Sequence, residues 1–151
     1  MFLTDAVTFL TTQRLGDETF GPSSLIVACK NEEEMLAVAE HLSGQLTATL
    51  QLDDADHGLA IKLLPILERK AGRILVNGYP NNVEVSHAMV HGGPFPASSD
   101  SRSSSVGASA IDRFLRPVCY QDLPAALLPA ALQDGNPQKL WRTINGQCVL
   151  P

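Results

Sequence analysis

Three short apolar runs, separated by two stretches of helical spacing, dominate the first half of the chain. Each run is rich in Leu, Ile, Val or Thr and has the length of a buried strand: SSLIVACK, QLTATLQL and RILVNGYP. Strands that alternate with helices favour parallel pairing, because a crossover of this length joins parallel neighbours. The pattern therefore predicts an α/β fold, a mostly parallel sheet with flanking helices.

The two stretches between the strands carry signals for helix ends. In NEEEMLAVAEHLSG, Asn31 is placed to cap the helix and Glu34 stands at the capping-box position. The second stretch, DDADHGLAIKLLPILERKAG, begins on aspartates and stops at Gly72. Pro65 lies inside this helix and should kink or restart it, because proline removes one backbone hydrogen bond there.

The periodic pattern stops between about residues 81 and 105, where Gly, Pro, Ser and Asn dominate. A loop of this length in a compact domain is usually functional or disordered. Helical spacing returns in SVGASAIDRFLRPV, a helix that the last serines of the loop would cap. The tail is apolar but interrupted by prolines, so it has little core of its own. We therefore divide the chain into residues 1–120 and a tail, residues 121–151, that serves in docking or oligomer contact.

Composition is typical of one globular domain. The chain has 151 residues, of which 44% are hydrophobic and 18% are charged. Acidic residues outnumber basic ones by 16 to 11, which argues against a nucleic-acid partner bound through its phosphates. The amino terminus has Asp5 within its apolar stretch and no basic lead, so we expect no signal peptide, no membrane span and a cytoplasmic location.

The three cysteines, Cys29, Cys119 and Cys148, are odd in number and far apart. This spacing fits neither a disulfide framework nor a zinc knuckle, so we expect reduced thiols. Cys29 closes an apolar run and is expected to be a buried strand residue.

The long loop contains the residues with the most chemical potential. His87 and His91 are four apart and would face the same way on a helix, but a third ligand is missing, so we expect no metal. Two other roles remain open for them: hydrogen bonds that shape a polar loop, or a place at a substrate mouth. The serines that follow lack the ending of a phosphate loop, and neither a nucleophile elbow nor a dinucleotide fingerprint is present. The residues alone thus define no complete active site.

Two stretches resemble a known family. ETFGP, at Glu18–Pro22, precedes the strands and helices above, and VEVSHAMVHGGPFPASSDSRSSSVGASAIDRFLRPVCYQDLPAALLPAAL begins at Val83. Together they resemble the carboxy-terminal part of the aldehyde dehydrogenase superfamily, in its alpha-ketoglutaric semialdehyde dehydrogenase branch. The resemblance extends from about Asp5 to Trp141 and implies that the chain forms part of an aldehyde dehydrogenase catalytic domain.

The resemblance assigns roles to two groups of residues. Glu18 would accept hydrogen bonds from a ribose of the nicotinamide cofactor, and Phe20 would pack beside that end of the dinucleotide. Without the resemblance, Glu18 reads as a solvated turn residue and Phe20 as a core anchor. The loop at 83–95 would border the substrate tunnel. Two of its residues would fix its course, and one of its histidines would lie near a carboxylate-bearing substrate. These substrate-loop residues are Pro94, Phe95 and either His87 or His91.

The resemblance also shows what the chain lacks. In the family, the thiolate nucleophile, the Glu general base, the oxyanion site and the dinucleotide domain lie upstream of this segment. We therefore expect a carboxy-terminal fragment of an NAD(P)-dependent aldehyde dehydrogenase for a small carboxylate-bearing semialdehyde. Alone it should be inactive and bind neither NAD nor NADP. The sequence does not decide between the two coenzymes, because that choice is made in the absent domain.

The expected partners are a second copy of the chain and the missing amino-terminal part of the enzyme. Apolar surface that the missing part would cover favours association, and RPVCYQ is a candidate edge strand for pairing. The alternative is a non-catalytic, oligomeric α/β remnant or interaction module.

Overall fold

The computed structural model describes all 151 residues, which divide into two compact units, Met1–Leu115 and Arg116–Pro151. The α-helices and strands of the first unit follow in the order β1 (Phe2–Asp5), α1 (Ala6–Thr11), β2 (Leu25–Ala28), α2 (Glu32–His41), β3 (Gln45–Leu50), α3 (His57–Lys70) and β4 (Ala71–Val76). Short 3₁₀ helices lie at Gln13–Gly16, Asp54–Asp56 and Ala108–Phe114. No helix combines the length and apolar character that a membrane span would need.

The strands of the first unit form two parallel pairs. β1 runs beside β2, starting with Phe2 opposite Leu25, and β3 runs beside β4, ending with Leu50 opposite Val76. Parallel pairing and flanking helices agree with the predicted α/β class. The three predicted strands do not form one sheet, however, because β2 and β3 share no hydrogen-bonded pairing. Each of these two strands keeps one edge without a strand neighbour.

The sequence pattern does not predict β1 or α1, because their apolar positions lie too close together to reveal a period. α1 is capped by Asp5, whose carboxylate accepts a hydrogen bond from the Thr8 backbone N–H at 2.8 Å. This hydrogen bond lowers the pKa of Asp5. Phe9 is buried and meets the ring of His41 edge-on, with centroids 5.6 Å apart. α1 thereby packs against the end of α2.

The predicted cap of α2 is confirmed. The side chain of Asn31 accepts a hydrogen bond from the Glu34 backbone N–H at 2.9 Å. The Glu34 carboxylate reaches back to the N–H of Lys30 at 2.8 Å, one residue before the cap rather than the cap itself. Both bonds satisfy backbone donors that the first turn of a helix leaves free.

α3 continues through Pro65 as one helix, so the predicted restart does not occur. The guanidinium of Arg69 donates to the carbonyl of Pro65 at 2.7 Å, one turn earlier, and also pairs with Glu40 on α2. The helix ends at Lys70 rather than at the predicted Gly72, because β4 begins directly at Ala71. Residue 72 is already part of a strand.

The core of the first unit lies between α2, α3 and the β3–β4 pair. Ala39, Leu63 and Leu67 are buried at its centre. Around them pack partly buried side chains: Leu36, Ala48, Leu50, Leu59, Ile66 and Ile74. This core is small, and seven hydrophobic residues of the chain are buried in all.

The segment after the long loop differs from its prediction. SVGASAIDRFLRPV forms a 3₁₀ helix, Ala108–Phe114, rather than an α-helix. Its cap is Gly107 with a positive φ of 99°, and no serine hydroxyl bonds to it, so the predicted serine cap is wrong. RPVCYQ forms no strand within the chain. Its pairing with a second copy stays a prediction.

The second unit contains two 3₁₀ turns and one hairpin. The turns are Ala125–Leu127 and Ala130–Leu132, and each follows one of the prolines that interrupt the apolar tail. β5 (Arg142–Ile144) and β6 (Gln147–Val149) pair in antiparallel fashion. Asn145 and Gly146 join them, both with positive φ, as the tightest hairpin turns require. The docking role of residues 121–151 stays a prediction.

Candidate functional site

The guanidinium group of Arg73 bonds to the backbone near the start of the long loop, a contact that we call the Arg73 clamp. Arg73, on β4, donates to the backbone carbonyl of Asn82 at 3.1 Å and to that of Pro80 at 3.0 Å. The same guanidinium lies 3.7 Å from the sulfur of Met89. One side chain thus ties three positions of the loop to a strand, and its planar fork suits two separate acceptors.

Arg73→Lys should loosen this part of the loop. Lysine keeps the charge but cannot hold both carbonyls in the same geometry, so we expect a loss of about 1–2 kcal/mol of local stability. Amide hydrogen exchange of residues 80–89 measures the effect. Arg69→Lys is the matched control, since Arg69 also donates to a carbonyl but lies on α3, away from the loop. Unchanged exchange in the Arg73 variant would mean that the clamp contributes nothing.

Glycines allow the middle of the long loop to pack directly against the backbone at the beginnings of β3 and β4. A Cβ on Gly93 would stand 2.3 Å from the carbonyl oxygen of Gln45, and one on Gly44 would stand 2.3 Å from that of Pro94. A Cβ on Gly72 would meet the carbonyl of Gly92 at 2.1 Å. The HGGPFP segment therefore packs against the beginnings of β3 and β4, and there is no room for a side chain at Gly44, Gly72 or Gly93.

The hydroxyl groups after this segment bond inward. Ser104 is buried, accepts a hydrogen bond from the His91 N–H at 3.0 Å and donates to the carbonyl of Val106. Ser105 donates to the carbonyl of His91 through both its N–H and its hydroxyl, each at 2.9 Å. The hydroxyls of Ser98 and Ser103 both donate to the carbonyl of Asp100. These hydroxyls brace the loop and do not form a phosphate cradle.

The two histidines have different surroundings. His91 is half-buried, its Nδ1 is buried without a hydrogen-bond partner, and its ring lines a cleft of about 410 Å³ together with Ser103 and Arg113. His87 is exposed. The loop between them is not helical, so the spacing that would align them on one helix face does not apply. No group of three or more His, Cys, Asp or Glu side chains is placed to hold a metal ion.

Pro94 and Phe95 lie at the turn of the loop. Pro94 is half-buried, and its carbonyl accepts a hydrogen bond from the N–H of Ala97 at 2.9 Å. The side chain of Phe95 is 81% exposed. The ring is therefore free to meet something outside the chain, and its place at a substrate tunnel stays a prediction.

Glu18 lies in the segment between the first 3₁₀ helix and β2. It lines a cleft of about 760 Å³. The cleft also contains hydroxyl groups and one cation, from Thr4, Thr8, Thr19, Ser23, Ser24 and Arg14. Phe20 does not line this cleft and is 92% exposed, so it is not a core anchor. The structure does not bring Glu18 and the long loop into one cavity.

The three thiols have different surroundings. Cys29 lies just after β2 and is half-buried, and burial followed by the charge of Glu34 raises its pKa. A raised pKa lowers the thiolate fraction, which is the opposite of what a nucleophile needs. Cys119 and Cys148 are exposed and form no disulfide.

Two positioning residues were missed by reading the sequence. Arg73 is one, and nothing in RILVNGYP distinguishes it from a solvated strand cation. The other is Asn77, whose side-chain amide accepts from the N–H of Leu52 at 2.9 Å and donates to its carbonyl at 2.8 Å. Asn77 has a positive φ of 52°, and the Asn-Gly pair was the signal for it.

Comparison with known proteins gives two curated relatives. The chain is 59% identical over 142 residues to alpha-ketoglutaric semialdehyde dehydrogenase 2 of Azospirillum brasilense, a match that covers 94% of the chain and 27% of the relative. It is 56% identical over 133 residues to alpha-ketoglutaric semialdehyde dehydrogenase of Acinetobacter baylyi, covering 88% of the chain and 25% of the relative. No protein-family model matches. The resemblance found in the sequence is thus confirmed, and the chain spans about a quarter of the length of these relatives.

Proposed function

We propose that this chain, which is similar to about a quarter of an alpha-ketoglutaric semialdehyde dehydrogenase, is the carboxy-terminal portion of an NAD(P)-dependent aldehyde dehydrogenase. The substrate of the complete enzyme is a small semialdehyde that carries a carboxylate. The observation that carries this proposal is the 59% identity, over 94% of the chain, to a relative named alpha-ketoglutaric semialdehyde dehydrogenase 2.

Glu18 is the residue of this chain that meets the coenzyme. A carboxylate accepts hydrogen bonds from two neighbouring ribose hydroxyls at once, and the adjoining cleft of about 760 Å³ has room for a sugar among hydroxyl side chains. The exposed ring of Phe20 packs beside that end of the dinucleotide. When bound in the complete enzyme, the coenzyme accepts a hydride. The chain contains no glycine-rich phosphate turn, so alone it holds neither NAD nor NADP firmly.

The long loop supplies one wall of the substrate tunnel. The clamp from Arg73 and the glycine contacts hold its backbone rigidly, which a positioning surface requires. Pro94 fixes the turn and Phe95 presents an apolar face, while His91 or His87 lies near the carboxylate of the substrate. The chemical step uses a thiolate from the part of the enzyme that this chain does not match, and the raised pKa of Cys29 supports this placement.

Glu18→Gln should weaken coenzyme binding in the assembled enzyme. Hydrogen bonds to a charged group are worth about 1.5–3 kcal/mol, so we expect the KM for the coenzyme to rise about tenfold to hundredfold. The enzyme is assembled from this chain and the portion of the Azospirillum brasilense relative that the chain does not match, and initial rates are measured at varied NAD and NADP.

Glu33→Gln provides the control for Glu18→Gln. Glu33 lies in the first turn of α2, makes no side-chain hydrogen bond or ion pair and loses the same charge. Its KM should equal that of the unsubstituted chain. A KM that is unchanged in Glu18→Gln, or equally raised in both variants, would remove Glu18 from the coenzyme site.

A second function, a non-catalytic oligomer or interaction module in the cytoplasm, is favoured by exposed apolar side chains. Phe2, Leu3, Ile61 and Phe114 are all largely exposed. Surface of this kind promotes association, either with copies of the chain or with another protein. The two functions predict different turnover of the aldehyde. A non-catalytic module shows no turnover in any mixture, whereas a dehydrogenase portion shows turnover when the rest of the enzyme is added.

A further inference from the structure

β2 has one free edge, and a hydrogen bond at the start of the strand shows which of its residues face that edge. Successive residues of a strand direct their backbone N–H and C=O groups to opposite edges. The carbonyl of Ser24 accepts from the N–H of Phe2 on β1 at 2.8 Å, so alternate residues from Ser24 onward face β1. Leu25 and Val27 therefore direct their backbone groups away from β1, toward the edge that has no strand neighbour.

β3 has a free edge of the same kind. The carbonyl of Leu50 accepts from the N–H of Asn77, just beyond β4, at 2.9 Å. Leu50 and Ala48 therefore face β4, and Thr47 and Thr49 direct their backbone groups to the opposite edge. No strand pairs with that edge.

Both free edges open onto one cleft. A volume of about 530 Å³ is lined by the five residues whose backbone groups face the free edges: Leu25, Val27, Gln45, Thr47 and Thr49. Apolar side chains from α2 and α3 form the rest of its walls, among them Val38, Leu42, Leu63 and Leu67. The cleft thus combines two rows of unpaired backbone donors and acceptors with an apolar floor. An extended polypeptide is the occupant that satisfies both.

We infer that a β-strand from outside this chain inserts between β2 and β3 and joins the two strand pairs into one sheet. The occupant is a strand from the part of the dehydrogenase that the chain does not match, so the inference rests on the proposed function. An inserted strand is bonded on both sides, which would satisfy the unpaired groups of β2 and β3 together. The connection through α2 is long enough to skip over one strand.

The length of the relatives and the geometry of the two edges favour the rest of the enzyme over a second copy. The relatives are about four times as long as the matched segment, so they contain ample chain to supply the strand. A twofold dimer would pair an edge with its own copy and would fill one edge at a time.

The test blocks one free edge and leaves the pairing inside the chain intact. Thr47→Pro removes an N–H that β4 does not use and places a ring on the edge that faces the cleft. Val76→Pro is the control: residue 76 lies on β4, its N–H faces away from β3, and its side chain does not line the cleft. Thermal unfolding of each variant alone should show folding close to that of the unsubstituted chain.

The probe is the portion of the Azospirillum brasilense relative that the chain does not match, titrated by calorimetry. We expect Thr47→Pro to bind it at least about tenfold more weakly than the unsubstituted chain, and Val76→Pro to bind it with unchanged affinity. In the unsubstituted chain, binding should slow amide exchange at Thr47 and Thr49, a readout that holds even if the proline variant misfolds. Equal affinities for all three chains, or exchange at these amides that binding leaves unchanged, would overturn the inference.

Turnover of the same mixtures separates the inference from the proposed function. If the mixtures oxidise the semialdehyde and Thr47→Pro is as active and as tightly bound as the unsubstituted chain, the function stands and the strand insertion falls. If the unsubstituted chain binds, Thr47→Pro does not and no mixture turns over, the strand insertion stands and the dehydrogenase function falls. If Thr47→Pro instead abolishes self-association of the chain and leaves probe binding intact, the occupant is a second copy and the inference is overturned.

Discussion

Gly72→Ala is expected to destabilise the first unit by about 2–3 kcal/mol, a large share of the stability of a small domain. The added Cβ would lie 2.1 Å from the carbonyl oxygen of Gly92 and 2.6 Å from its carbonyl carbon. Both atoms are backbone, so no rotamer change relieves the clash, and either β4 or the loop must move. Urea unfolding measures the loss of stability, and amide exchange of Gly92, Gly93 and Phe95 shows whether the loop has left its position.

Gly58→Ala is the matched control for Gly72→Ala. Residue 58 lies in the first turn of α3, and a Cβ there meets nothing within 4 Å. Alanine should leave stability unchanged or raise it by about 0.5–1 kcal/mol, because it lowers the entropy of the unfolded chain. If the Gly72 variant unfolded at the same urea concentration as the Gly58 variant, the packing of the loop against β4 would be wrong.

The elements with a clear period or cap were predictable from the sequence. α2 follows its apolar face and its Asn31 cap, and β3 and β4 follow their β-branched and leucine-rich runs. The pairing was less predictable, because a strand pattern does not name its neighbour. β2 and β3 follow each other in the chain and read as adjacent, whereas each pairs with a different strand and leaves an edge free.

Two segments differ from what their sequence patterns predict. A helix was expected after Gly107, but only a 3₁₀ helix formed, and its residues are mostly exposed, with little apolar burial to support more turns. The hairpin at Asn145 and Gly146 carried its signal in the Asn-Gly pair and was overlooked within a tail read as apolar. Both outcomes reflect local signals whose result depends on what surrounds them.

The candidate site was predictable only through the resemblance. The loss of a periodic pattern marked residues 81–105 as a long loop, but it did not show that His91 is held by hydrogen bonds and that His87 is exposed. The structure separates them: His91 is tied to Ser104 and Ser105 through its backbone, and His87 is exposed. The carboxylate of Glu18 lines a cleft of its own, a placement that a five-residue motif cannot reveal by itself.

The second large effect is expected in turnover, since the chain alone should not oxidise an aldehyde. Loss of a nucleophile typically costs at least about a thousandfold in rate, and we expect the nucleophilic thiolate to lie in the part of the enzyme that this chain does not match. Burial raises the pKa of Cys29 and so reduces its thiolate at neutral pH. Adding the rest of the enzyme should supply the thiolate and the dinucleotide domain together.

The most direct test is reduction of NAD and NADP by alpha-ketoglutaric semialdehyde, measured for the chain alone and for the chain mixed with the unmatched portion of the Azospirillum brasilense relative. We predict no coenzyme reduction above background with either component alone and aldehyde-dependent reduction with the mixture. Turnover by the chain alone that falls in Glu18→Ala would contradict this, because one of its three thiols would then be the nucleophile. A mixture that binds tightly yet never turns over would leave the non-catalytic module as its function.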